Sequence, residues 1–115
     1  MAIIIKTNRP NTLLKQIKND VEEEILKTWS LDKDGDFFHN PDQWIGKGWL
    51  RASIVEGFLR FGFVANPSNF KKDYFAHLQG RFTGMLINNL SDYFEHVTTT
   101  SKAEKGIDII NKFGN

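Results

Sequence analysis

The chain has 115 residues and no cysteine. Disulfides, thiolate zinc sites and cysteine nucleophiles are therefore excluded. Long apolar runs are also missing. The N-terminal run Ala2-Ile3-Ile4-Ile5 is too short for a signal-peptide core, and no run approaches the ~20 apolar residues of a membrane span. These absences lead to the expectation of a cytoplasmic protein with no membrane contact. Neither sign of charge dominates, since 15 basic and 14 acidic side chains leave a net charge of +1. The global electrostatic footprint of a nucleic-acid-binding protein is thus absent, and only a local patch remains open to that role. No repeat, low-complexity tract or Pro/Gly/Ser-rich linker divides the chain. A single domain over 1–115 is expected, with about 101–115 as a flexible or docked tail.

What is present is globular in balance, with 40% hydrophobic and 25% charged residues. Asn8-Arg9-Pro10 marks a helix start, with Asn8 as the expected cap. Leu13, Leu14, Ile17 and Val21 follow at helical spacing, which predicts an end near Glu22 to Glu24. From Ile25 the spacing changes to two, through Trp29 and Leu31. Asp32-Lys33-Asp34-Gly35 is a turn signal, and Asp36 to His39 returns as a partner strand.

Gly48 to Val64 is more legible. A two-residue turn at Glu56-Gly57 pairs Ile54 with Leu59, Ala52 with Phe61 and Leu50 with Phe63. These six apolar residues share one face, as a half-buried hairpin requires. Phe75, Leu78, Phe82, Met85, Leu86, Leu90, Tyr93 and Val97 then form one apolar stripe, which predicts a long helix from Ser68 or Asn69 to about Val97. Ile107 to Ile110 reads equally well as an edge strand, a docked tail or a frayed end. The expected fold is α+β. Two hairpins make a four-stranded antiparallel sheet, five-stranded if the N-terminal Ile3–Lys6 run joins it. The N-terminal helix and the long C-terminal helix pack on one face.

Several residue groups invite a functional reading. Asp32, Asp34 and Asp36 open like a calcium-binding EF-hand loop, but Phe37 stands where that loop needs glycine and Gln43 where it needs glutamate. No metal site and no cofactor are expected. His39, near Asp36 and Asp42, suits a general base with an acidic orienter, although no nucleophile motif accompanies it. Asp73, His77 and Arg81 recur every four residues and read as a solvated charge ladder. Leu59 to Val64 is similar to the RNP1 motif of RRM domains, but Arg60 replaces its glycine and Phe61 and Phe63 face the core in the expected register. Nucleic acid is accordingly a weak candidate partner.

Trp49, Arg51, Phe58 and Arg60 occupy the hairpin face left open, with Trp29, His39 and Trp44 nearby. Aromatics interleaved with arginine suit a protein or acidic ligand. That reading requires Arg51 and Arg60 not to be partners of structural carboxylates. Gly80, Gly84 and Ile87 lie opposite the apolar stripe of the last helix. Each glycine destabilises a helix by about 1 kcal/mol relative to alanine, so the strip predicts close approach of the first helix or of a second copy in a homodimer.

The run Thr28-Trp29-x-x-Asp32-x-Asp34-Gly35-Asp36-Phe37-x-His39-x-x-x-Gln43-Trp44, followed by Lys47-x-Trp49-Leu50-Arg51, resembles a family of small bacterial proteins of unknown function. The resemblance implies a bacterial intracellular setting and carries no activity. The leading expectation is a non-enzymatic binding or assembly domain. A small hydrolase or metal-dependent enzyme centred on His39 and the nearby aspartates is one alternative, and RNA binding through the 49–64 hairpin is the other.

Overall fold

The computed structural model describes residues 1–109. In chain order they form β1 (Ile3–Lys6), α1 (Pro10–Glu22), β2 (Trp29–Leu31), β3 (Phe37–His39), β4 (Trp49–Val55), β5 (Phe58–Val64), α2 (Lys72–Leu90) and β6 (His96–Thr99). The strands make one sheet in the order β2-β3-β4-β5-β1-β6, and every strand pair is antiparallel. The α+β class is as expected, but the sheet has six strands rather than four or five.

The β4–β5 register matches the sequence expectation, with Leu50 opposite Phe63, Ala52 opposite Phe61 and Ile54 opposite Leu59. Ile3 pairs with Phe61 and Ile5 with Leu59, so β1 adds its isoleucines to the same face. Leu13, Ile17 and Val21 of α1 join Phe75, Leu78, Phe82, Leu86 and Leu90 of α2 in one buried cluster with that face. Gly48 shows how tight this packing is. Its φ is +148°, and a Cβ there would lie 2.6 Å from the Phe63 ring.

Three local expectations are corrected. Asn8 does not cap α1. Thr7 is the buried residue, its hydroxyl accepting the Arg9 N–H and donating to the Tyr93 carbonyl. Next, Ile25 does not begin a strand. Glu24 takes a positive φ of 60°, and the Asp20 carbonyl accepts the N–H groups of Ile25 and Leu26. This turn buries Leu26 and leaves Ile25 59% exposed. Finally, the last helix is shorter at both ends. Lys71 is extended before it, and Phe94 is extended after a single 3-10 turn at Ser91–Tyr93. The β-branched run Val97-Thr98-Thr99 favours a strand, and β1 offers it an open edge, with Ile5 opposite Val97. Tyr93 and Val97 still pack on the core, but not as helix residues.

The tail is docked as far as it is described. Ile109 bridges Val64 in parallel, accepting the Ala65 N–H and donating to the Phe63 carbonyl. Asp108, whose side chain is 1% exposed, accepts the N–H groups of Phe63 and Glu104 and lies 3.4 Å from the Met1 amino group. Ile110 lies outside the described residues. Gly62 makes this docking feasible, because a Cβ there would lie 1.9 Å from the Ile107 carbonyl oxygen. Gly62→Ala should lower stability by about 2 kcal/mol, since overpacking must displace one of the two backbones. Hydrogen exchange should show the amides of 104–109 released first. Unchanged protection there would mean the tail is not held by this contact.

Candidate functional site

The seven residues expected to form one ligand surface lie on two faces of the sheet. Leu50 faces the helices, and Phe37 pairs with it. His39 is two residues beyond Phe37 and opposite Trp29, so both belong to the helix-covered side. Trp49, Arg51, Phe58 and Arg60 have the other parity.

On that other face, Arg51 is engaged internally. Its Nε and Nη2 donate to the two carboxylate oxygens of Asp36 at 2.9 and 2.8 Å, and Asp36 is 1% exposed. This bond and the surrounding aspartates hold the guanidinium pKa above its ordinary value. Arg60 Nε donates to Ser53 Oγ across the β4–β5 pair at 3.2 Å. The carboxylates of Asp32, Asp34 and Asp36 gather within 4.8 Å of one another. Asp32 Oδ1 also accepts the backbone N–H groups of Asp34 and Asp36, so the acidic loop is organised as a turn. A recess of about 570 Å³ beside Phe38, Ile45 and Trp49 is bordered by Asp32 and Asp34.

The helix-covered side presents a different arrangement at its β2–β3 edge. The Asn40 side chain donates to the Lys27 carbonyl and to Ser30 Oγ, and its N–H donates to the Thr28 carbonyl. These bonds fix the exit of β3. Pro41 then starts a 3-10 turn, Asp42–Trp44, closed by the Trp44 N–H to the Pro41 carbonyl. The turn carries Trp44 back over α2. There its ring stacks on His77, with centroids 3.4 Å apart and planes 6° apart. Lys47 lies over the Trp44 and Tyr74 rings at 5.5 and 5.4 Å.

His39 and His77 meet directly, Nδ1 to Nε2, at 2.8 Å. His39 also packs against Trp29, whose ring meets Phe82 edge-on. A recess of about 510 Å³ opens beside the pair, lined by Trp29, Trp44, Lys27, Arg81, Met85 and Asn88 among others. A single proton occupies the line between the two imidazoles, since two N–H groups cannot face each other at this distance. The neutral pair therefore has one N–H and one lone pair on its outer nitrogens, His39 Nε2 and His77 Nδ1. It can accept one further proton without breaking its bond.

Both rings are held below the ordinary histidine pKa. Burial pushes His39 down, and the Arg81 charge adds to it. Burial, His39 and Arg81 together pull His77 down to about 4. The unfolded chain thus binds more protons than the folded one below pH ~6.5. Stability is present above that pH and is lost as pH falls toward the folded value. The loss expected from His77 is about 2 kcal/mol after allowing for solvent screening. Urea unfolding near neutral pH and near the lower value should show it, and His77→Phe, which retains the stack on Trp44, should show less. Identical pH dependence in the two proteins would contradict this assignment.

Trp29, His39 and Trp44 of the sequence-derived set are thus brought together, while Trp49, Arg51, Phe58 and Arg60 lie across the sheet. The sequence reading missed the roles of His77 and Arg81. Their spacing of four places them on one helix face, but only the β3 parity and the Trp44 turn convert a solvated ladder into a partly enclosed pair. Asp36 does not orient His39 as an acid–base partner would, since it points to the opposite face and binds Arg51. Phe61 and Phe63 are fully buried, on the core face.

Gly80 and Gly84 are uncovered. A Cβ at either would have no heavy atom within 4 Å among the described residues, and Ile87 is 51% exposed. The first helix does not fill this strip. Gly80→Ala and Gly84→Ala should each raise thermal stability, by about 1 kcal/mol from helix propensity. A concentration-dependent loss instead would show the strip closing on a second copy.

No helix among the described residues is long and apolar enough to cross a membrane. No protein-family model matches the sequence, and no curated protein or solved structure matches it at a significant level.

Proposed function

We propose that the protein is a ligand-binding domain whose site is the recess between the β2–β3 edge and α2. One observation carries this reading. Two tryptophans, two hydrogen-bonded histidines and an arginine, drawn from β2, β3, the following turn and α2, converge on one concavity. Its volume of about 510 Å³ suits a small organic molecule. Its exposed lining is more polar than apolar, with Lys27, Arg81 and Asn88 beside the rings, which suits a polar ligand. The opposite sheet face is a weaker candidate for an acidic ligand, because Arg51 is engaged by Asp36 and the acidic loop lies beside it.

A thermal-shift screen of small acids, amines and neutral polyols tests the proposal. At least one compound class should stabilise the wild type and lose that effect in Trp44→Ala. Ligands that stabilise both proteins equally would place the site elsewhere.

A further inference from the structure

We infer that the recess is a receptor for a small organic acid, its carboxylate or phosphate oxygens held against Arg81 and the histidine pair, its carbon frame against Trp44 and Met85. This rests on the recess being the ligand site and adds the chemical class of what enters it. The charged and titratable groups lining it are Lys27 before β2, His39 of β3, and His77 and Arg81 of α2. Among the described residues, no aspartate or glutamate lines it. Such a set favours an anion, since the fixed charges at the recess, Lys27 and Arg81, are both cationic.

The histidine pair adds a second feature. Neutral, it offers one outer N–H and one outer lone pair. A further proton on the pair would give it a positive charge, which an anion in the recess stabilises. An anion in the recess should raise the pair's affinity for that proton, so binding should strengthen as pH falls from neutral toward the folded His77 value of about 4. One outer nitrogen of the pair, with the guanidinium fork of Arg81, would then supply charge-assisted donors to the acid's oxygens.

The test uses the ¹⁵N-labelled full chain and four probes of similar shape: benzoate, phenyl phosphate, benzyl alcohol and benzylamine. Benzoate or phenyl phosphate should shift the Trp44 indole signal and bind at least about tenfold more tightly than benzyl alcohol, given a charge-assisted pairing. The tighter of the two identifies carboxylate or phosphate as the preferred head. Affinity should rise as pH falls from neutral toward the folded His77 value, and calorimetry in buffers of different ionisation enthalpy should record proton uptake over that range. Arg81→Gln should weaken acid binding by about tenfold and leave the fold intact. His77→Phe should remove the pH dependence. If benzyl alcohol or benzylamine matches benzoate at the same signals, the acid class is overturned while the recess remains a ligand site. If Zn²⁺ shifts the pair and the acids do not, the class is likewise overturned. If none of the four organic probes and no Zn²⁺ moves these signals, both the class and the site fail.

Discussion

Phe82→Ala is expected to lower the unfolding free energy by about 4 kcal/mol. Phe82 is fully buried on α2. Its ring stands 4.7 Å from Phe61, 4.9 Å from Trp29 and 5.9 Å from Phe37. It therefore joins β5, β2 and β3 to the long helix. Removing it opens a cavity in the core and also forfeits the edge-to-face contacts with Trp29 and Phe61. The effect should reach the recess, because Trp29 is packed between Phe82 and His39. Denaturant unfolding should give the loss, and the His39–His77 bond should weaken in the folded state of the variant. A loss below about 1.5 kcal/mol would mean that the core collapses around the gap, contrary to the packing described.

Arg51→Leu should lower stability by about 3 kcal/mol. It removes the bidentate guanidinium from a carboxylate that is 1% exposed. Breaking a buried pair from one side is strongly destabilising, whereas replacing both partners is much milder. The arginine side chain is 42% exposed, which places the expected loss at the lower end of the usual range. The double variant Asp36→Asn with Arg51→Leu should recover more than half of it, and the cycle of four proteins isolates the pairing. An Arg51→Leu protein as stable as the wild type would show the pair to be dispensable and would leave Arg51 open to a ligand role.

The central hairpin was legible because alternation sorts β4 and β5 cleanly in a single register. The shared burial of both helices followed from their apolar stripes. Other elements depended on contacts between distant parts of the chain. Tyr93 and Val97 continue the helical spacing of α2, yet the extended backbone at Phe94 breaks it and β1 captures His96–Thr99. Local periodicity does not register an open strand edge far earlier in the sequence. Ile25 shows a comparable effect on a small scale, since the positive φ at Glu24 shifts the buried position to Leu26.

The site was half legible for the same reason. Trp29, His39 and Trp44 stand out by residue type, but which sheet face each occupies follows from the pairing of β3 with β4. The aromatic and arginine residues of the 49–60 segment looked like one surface with them. Strand parity separates the groups. His77 lies 38 positions from His39, and no local pattern announces that pairing.

The three tryptophans of the chain are natural reporters on this separation. Trp29 and Trp44 line the recess beside α2, and Trp49 lines the recess of the opposite face. Their indole N–H signals can be followed together while a bound ligand is titrated. A ligand that moves Trp44 and Trp29 and leaves Trp49 unchanged is the result predicted here. Movement of Trp49 alone would put the binding surface on the other side of the sheet and contradict the assignment.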